Sequence, residues 1–419
     1  MRKNALSLAI VASLAAPLTA FSAPPAVVTN GLDSGLGSLR DALDSGATKI
    51  MIKPSVNEIF VEKPLVYDSD EPLTIIGSGQ VISWDTGVVT DVDPSDALLY
   101  VSEGADLSIS KLSFQGLGGY SIENQGGGKG IFVRVPKERV GQVSVNLNEV
   151  SVRDTGNHGV HVRDCPDDDC SAGQGGGGAG SLASISVRLT SVEIDGVGFG
   201  KQDADGVRVD DRDEGDIHLT VTNSTFQNVG ADGIELDEGD AGSVFVSVRN
   251  TVFENNGAYC LAVDEEFELD PDCDDDGDPD VDDAFDIDEA GPGGISGMIA
   301  NVDVVDNYDE GLDFDTEGDD GDNFVDLDLV NIYAAGNADE AIKVSEEGNA
   351  SVLVSMRAIE VEGDVEVEEE DAGDLEVSVS GSTIGDDLKL SEEGKGTGTA
   401  KLRGTTVGGE LDFNNVDEI

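Results

Sequence analysis

A six-residue strand pattern recurring along the chain, spacings close to 23 residues, and glycine-rich, aromatic-poor composition predict an all-β solenoid: a right-handed parallel β-helix of about 11 coils with a short N-terminal capping helix. The pattern runs polar, polar or small, aliphatic, variable, aliphatic, polar. It occurs as "ALLYVS" from Ala97, "YSIENQ" from Tyr120, "HGVHVR" from His158, "DGVRVD" from Asp205, "DGIELD" from Asp232 and "YCLAVD" from Tyr259. It continues as "EGLDFD" from Glu310, "EAIKVS" from Glu340, "GDVEVE" from Gly363, "DDLKLS" from Asp386 and "GELDFN" from Gly409. Four of the ten steps between these eleven copies are 23 residues and two are 27. Alternating inward aliphatic and outward variable residues is strand behaviour, and stretches such as "VSVNLNEVSV" between copies add further strands to each coil. Asn, Asp and Gly before many copies supply the turns.

From the N-terminus, Arg2 and Lys3 precede an uncharged apolar stretch from Ala5 to Ala16, which reads as an export signal over residues 1–22 with Ala20, Phe21 and Ser22 before the cleavage point. Residues 23–96 are expected to form the cap and first coils. Within them Ser34 or Ser38 starts a short amphipathic helix whose Leu39, Ala42 and Leu43 cover the open end of the stack. Residues 97–419 carry the repeats, with insertions expected at 126–139, 164–180 and 264–292.

The chain has a formal charge of −63, with 87 acids against 24 Lys and Arg. Such a surface repels nucleic acid and anionic membranes, and no segment offers the roughly 18 consecutive apolar residues of a membrane span. Repulsion on this scale is relieved either by Ca²⁺ bound among the acids or by an acidic surface suited to salt. Export permits disulfides, and spacing favours Cys165 with Cys170 and Cys260 with Cys273 among three connectivities.

The run "VVTNGLDSGLGSLRDALDSGATKIMI", followed by "LTIIGSGQVIS", resembles the N-terminal cap and first coils of bacterial secreted β-helix proteins of the pectate-lyase-like superfamily. The resemblance implies the fold and leaves the chemistry open.

Two constellations are candidates for function. Aligning the copies brings His158, His161, Arg163 and Arg208 onto adjacent coils beside Asp205, Asp210, Asp232 and Glu235. Polysaccharide lyases of this fold use cations to neutralise a uronate and a basic side chain to take its α-proton, so His158, His161, Arg163, Asp205, Arg208 and Asp210 form the candidate catalytic set. Ordinary charge pairing between coils explains the same residues. The lyase signatures around a catalytic Arg are missing. Resemblance to polygalacturonases reaches only partial echoes, with no Gly-His-Gly.

The second is the tract from Asp264 to Glu289, with sixteen acids in twenty-six residues and no base. Asp272, Asp274, Asp276, Asp278, Asp280 and Asp283 place oxygen ligands around Gly277 at the alternate spacing of a calcium loop. The tract resembles thrombospondin-type-3 and EF-hand-like loops, departing from them at Pro279 and at Asp283, where a bidentate Glu is usual. Calcium is thus the expected cofactor. The expected function is a secreted, non-catalytic surface or polysaccharide-binding module, with a calcium-dependent lyase or other carbohydrate-active enzyme as the alternative.

Overall fold

A computed structural model of the chain describes residues 24–118, 127–165, 180–200, 203–262, 273–275, 278–279, 281–318 and 324–419. Ser38 starts the cap: its Oγ accepts the Asp41 N–H at 3.1 Å, opening the helix Leu39–Asp44, whose Leu39, Ala42 and Leu43 are buried against the first coil. Arg40 in the same helix is also buried, satisfied by Asp33 and the carbonyls of Lys63 and Pro64.

Behind the cap the chain winds into a parallel β-helix with one 12-stranded and one 20-stranded sheet. Neighbouring coils pair in parallel throughout, and the one antiparallel pair among the described residues is the short hairpin of Asp274–Asp275 with Asp278–Pro279. Inward side chains stack rung on rung into a continuous Val, Ile, Leu and Phe core. Phe226 stacks on Phe253 in the 20-stranded sheet, and the ring contacts cross the core to Phe285 and Phe314 of the 12-stranded sheet, with centroids 5.1, 5.8 and 5.5 Å apart. No coil closes this core alone, so stability resides in the stacking. No helix among the described residues is long and apolar enough to cross a membrane.

Nine of the eleven sequence copies lie on rungs of the 12-stranded sheet. The copy at Tyr120 lies outside the described residues. The copy at Tyr259 is not a strand: Tyr259–Ala262 is a single helical turn, and the rung between Ile234–Asp240 and Leu312–Gly318 is Phe285–Ala290. Phe285 and Ile287 supply the bulky inward residues that stacking needs, which Leu261 does not: it is half exposed. Lys129–Arg134 is likewise a rung, paired with Ala97–Val101 and Val160–Arg163. The insertions expected at 126–139 and 264–292 therefore each contain a strand of the sheet.

Asparagines mark the corners. Asn223, Asn250, Asn301 and Asn331 all adopt φ between 53° and 56°, where Asn is the best-tolerated residue after Gly. Their amides form an outward ladder with links of 3.1, 3.2 and 3.1 Å. A second ladder is buried: Asn256 accepts the Val229 N–H and donates to the Phe226 carbonyl and to Asn307 Oδ1, while Asn307 donates to Asn337. Asn256→Ala strands these buried groups and is expected to cost about 2–3 kcal/mol, measured as a lower denaturant midpoint at unchanged slope.

Candidate cation-binding face

Outward residues of the 12-stranded sheet form columns along the stack. The second position of successive rungs reads Tyr100, Phe132, His161, Arg208, Glu235, Asp286, Asp313 and Lys343. Two residues on, the column reads Arg163, Asp210, Asp237, Asp288, Asp315 and Ser345. The face changes along the stack from aromatic, to basic, to acidic.

The predicted basic patch does assemble. His161 Nε2 lies 2.7 Å from Asp210 Oδ2, and His158 Nδ1 accepts the Asp205 N–H at 2.9 Å. The Arg208 guanidinium reaches Asp203 at 2.7 Å, Asp210 at 2.8 Å, Asp205 at 3.4 Å and Asp237 at 3.5 Å, and also bonds Glu235. Arg163 lies over the Phe132 ring at 5.3 Å, one rung from Arg208. His158, His161 and Arg208 are buried, at 5%, 4% and 6% exposure.

Burial disfavours the charge on Arg208, but Asp203, Glu235, Asp210 and Asp205 more than reverse this and hold it well above its ordinary value. Burial likewise opposes ionisation of Asp210, yet Arg208 and His161 keep it ionised well below the usual carboxylate range. Burial and the neighbouring His158 push His161 well below its usual value, so its ring is neutral at pH 7. An Arg locked in its cationic form is no proton acceptor. The patch is a closed ion-pair network.

Beyond Glu235 the acids lack such partners. Ligand oxygens lie within 4.8 Å of one another in three linked groups: Glu235, Asp286 and Asp288; Asp283, Asp286 and Asp313; Asp283, Asp309 and Glu310. Oδ1 of Asp283, Asp313 and Asp315 is buried without a hydrogen-bond partner. Lys343 answers part of this charge, 2.9 Å from Asp313, 3.3 Å from Glu310 and 3.8 Å from Asp315. Burial, and then mutual repulsion, pushes Asp283 and Asp286 well above the usual range; the same causes raise Asp309 and Asp315 to about 8 and Asp288 to about 6. Either protons or cations must neutralise such a cluster. Its all-oxygen ligands suit a hard divalent ion, with calcium–oxygen bonds of about 2.3–2.6 Å.

The predicted calcium loop is only partly in view. Asp272, Asp276 and Asp280 lie outside the described residues, and Asp274 and Asp278 sit on the short hairpin. Cys273 is bonded to Cys260, as expected, with Cα atoms 5.3 Å apart. Cys165 is also disulfide-bonded, and Cys170 lies outside the described residues. Asp283 belongs to the sheet face: its N–H donates to Asp232 Oδ1 at 2.6 Å and its carboxylate joins Asp286 and Asp313. Asp286 and Asp288 are not among the predicted ligands, because their rung lies inside the tract that the sequence marks as an insertion. The aliphatic alternation of Phe285 and Ile287 was the available signal.

No family model and no curated protein matches the chain. Among solved structures it is similar to the enzymatically active domain of bacteriophage CBA120 tailspike protein 2, with TM-score 0.42 and 12% identity over 76% of this chain and 44% of that one. It is similar also to a GH136 lacto-N-biosidase from Eubacterium ramulus, with TM-score 0.39 and 10% identity over 88% and 61%. A surface adhesin of Streptococcus pneumoniae gives TM-score 0.36 and 10% identity over 89% and 88%.

Proposed function

We propose that the chain is a secreted calcium-binding β-helix that acts without catalysis, presenting its acidic sheet face to a surface polysaccharide or similar polymer. The linked carboxylate groups around Asp283 and Asp286, with buried oxygens that no protein donor meets, carry this reading. Calcium at the face reconciles so acidic a chain with an acidic polymer, because an ion held by two or three carboxylates keeps coordination positions for an incoming anion. The disulfides fit an oxidising, extracytoplasmic location. A lyase at the basic patch is disfavoured, since Arg208 and His161 are committed to buried partners.

Calorimetric titration of the mature chain with CaCl₂, against MgCl₂ and NaCl of equal ionic strength, tests the proposal. A saturable calcium isotherm is expected, weakened at least tenfold by Asp286→Asn with Asp313→Asn. Heats that match the NaCl control, or an isotherm indifferent to both substitutions, would sink it.

A further inference from the structure

A second row of acids runs inside the coil wall, two residues beyond the last inward aliphatic of each rung. Strand register places Asp211 against Glu238, Glu238 against Glu289, and Glu289 against Thr316. All four are buried, at 1% exposure or less. Farther along, Glu346, Glu369 and Glu392 hold the equivalent position, and there one oxygen of each accepts the N–H of the residue four places on, Ala350, Gly373 or Gly396. Bracing a corner turn explains that half of the row.

It does not explain the other half. No N–H or hydroxyl group meets either buried carboxylate oxygen of Asp211, Glu238 or Glu289, and beside Asp211 lies another acid, Asp164. Thr316 Oγ1, the uncharged member of the row, is likewise buried without a hydrogen-bond partner. Backbone carbonyls converge on the same space: a Cβ built on Gly242 would lie 1.8 Å from Gly215 O and 2.3 Å from Glu238 Oε1, and one on Gly293 would lie 1.5 Å from Gly242 O and 2.6 Å from Glu289 Oε1. The nearby Arg212 guanidinium is engaged by Asp237 Oδ2 at 2.6 Å and by the carbonyls of Asp211 and Asp237 at 2.8 and 2.9 Å. Equivalent atoms on neighbouring coils are about 4.8 Å apart. An oxygen-lined gap of that order suits calcium, with a flexible shell at about 2.3–2.6 Å, better than magnesium, which demands a compact octahedron at about 2.1 Å.

We infer that Asp211, Glu238 and Glu289, with the carbonyls of Gly215 and Gly242, hold calcium ions between coils inside the wall of the solenoid. These sites are separate from those of the outer face and are enclosed as the coils stack. Without an ion the row must take up protons: burial, then repulsion from neighbouring acids, raises Asp211 to about 9, Glu238 to about 10 and Glu289 to about 8.

The test uses the mature chain carrying Asp286→Asn and Asp313→Asn, so that loss of the outer sites cannot be mistaken for loss of the inner ones. After refolding in calcium and exchange into chelator at pH 8, calcium counted by plasma mass spectrometry is expected to remain in stoichiometric amount while circular dichroism reports a folded chain. It should leave when guanidinium unfolds the protein, and Glu238→Gln with Glu289→Gln should abolish its retention. A folded but calcium-free background protein overturns the inference, as does equal retention in the Gln variant. Should the Gln variant not fold, refolding of the background protein decides: a requirement for calcium that magnesium does not meet supports the sites, and equal refolding in chelator overturns them.

Discussion

Removal of divalent cations is expected to lower the melting midpoint of the protein, by an amount that grows as pH rises. On the outer face Asp288 titrates in the folded state at about 6 and Asp309 and Asp315 at about 8, all raised by burial before any other cause. In the unfolded chain these groups return to about 4. The folded state therefore binds more protons, and stability falls with rising pH. Their contribution is complete below about pH 4 and is lost progressively as pH climbs from there through about 6 to 8. Asp210 and Glu340, held low by Arg208 and by Asp339 and Lys389 against the effect of burial, act in the opposite sense and matter only in acid. In chelator the midpoint should thus be highest near pH 4 and fall steadily to about pH 8. Calcium, replacing protons as the neutralising species, should flatten the curve, each site contributing about 4 kcal/mol at a thousandfold excess over its Kd. Circular-dichroism melts at pH 5, 7 and 9 in calcium, in chelator and in matched NaCl measure this. Equal flattening by NaCl would assign the acidity to general screening and remove the case for specific ions.

The architecture was legible in the sequence because a solenoid repeats its physics. Each rung needs two inward apolar residues with an outward residue of any kind between them, and that alternation survives wherever outward residues vary. It failed at Phe285–Ala290, where outward Asp286 and Asp288 continue an acidic tract and make a strand look like a solvated loop. It failed at Lys129–Arg134, where outward Phe132 between Ile131 and Val133 makes an apolar run in place of the alternation. The basic patch was readable for a geometric reason: His161 and Arg208 occupy the same place in successive copies, so parallel register brings them together. Its closure was not readable, because the number of carboxylates that reach Arg208 depends on Asp203 and Asp237 as well as on its own column. The inner acid row carries its own signal in the sequence. Asp211 has the same parity as Val207 and Val209, and Glu238 as Ile234 and Leu236, so strand alternation alone turns these carboxylates inward. Both lie just beyond the six-residue pattern, which ends at Asp210 and Asp237.

Arg208→Met is expected to be the most destabilising single substitution on the sheet face. The guanidinium is 6% exposed and is the shared partner of Asp203, Asp205, Asp210, Glu235 and Asp237. Methionine replaces much of the aliphatic stem but none of the charge, and leaves buried carboxylates facing one another. Removing one side of a buried ion pair costs about 3–5 kcal/mol, and here several partners lose the same cation. The effect should depend on pH with a definite sign: without Arg208 the carboxylates it holds down, Asp210 above all, titrate higher in the folded state, so the deficit against wild type widens as pH rises and narrows towards pH 5. Arg208→Lys keeps the charge but not the fork that reaches several carboxylates at once, and should recover only part of the loss. Calcium supplies a further discrimination. Oxygens of Asp203, Asp205 and Glu235 lie within 4.8 Å of one another around the guanidinium, so its removal leaves a carboxylate group resembling those around Asp286. Calcium should therefore stabilise Arg208→Met more than it stabilises wild type, and magnesium less so, as read from denaturant midpoints at pH 8. An Arg208→Met chain as stable as wild type at pH 8 in chelator would show that the network contributes nothing net, and that the acidic face tolerates its charge without a resident cation.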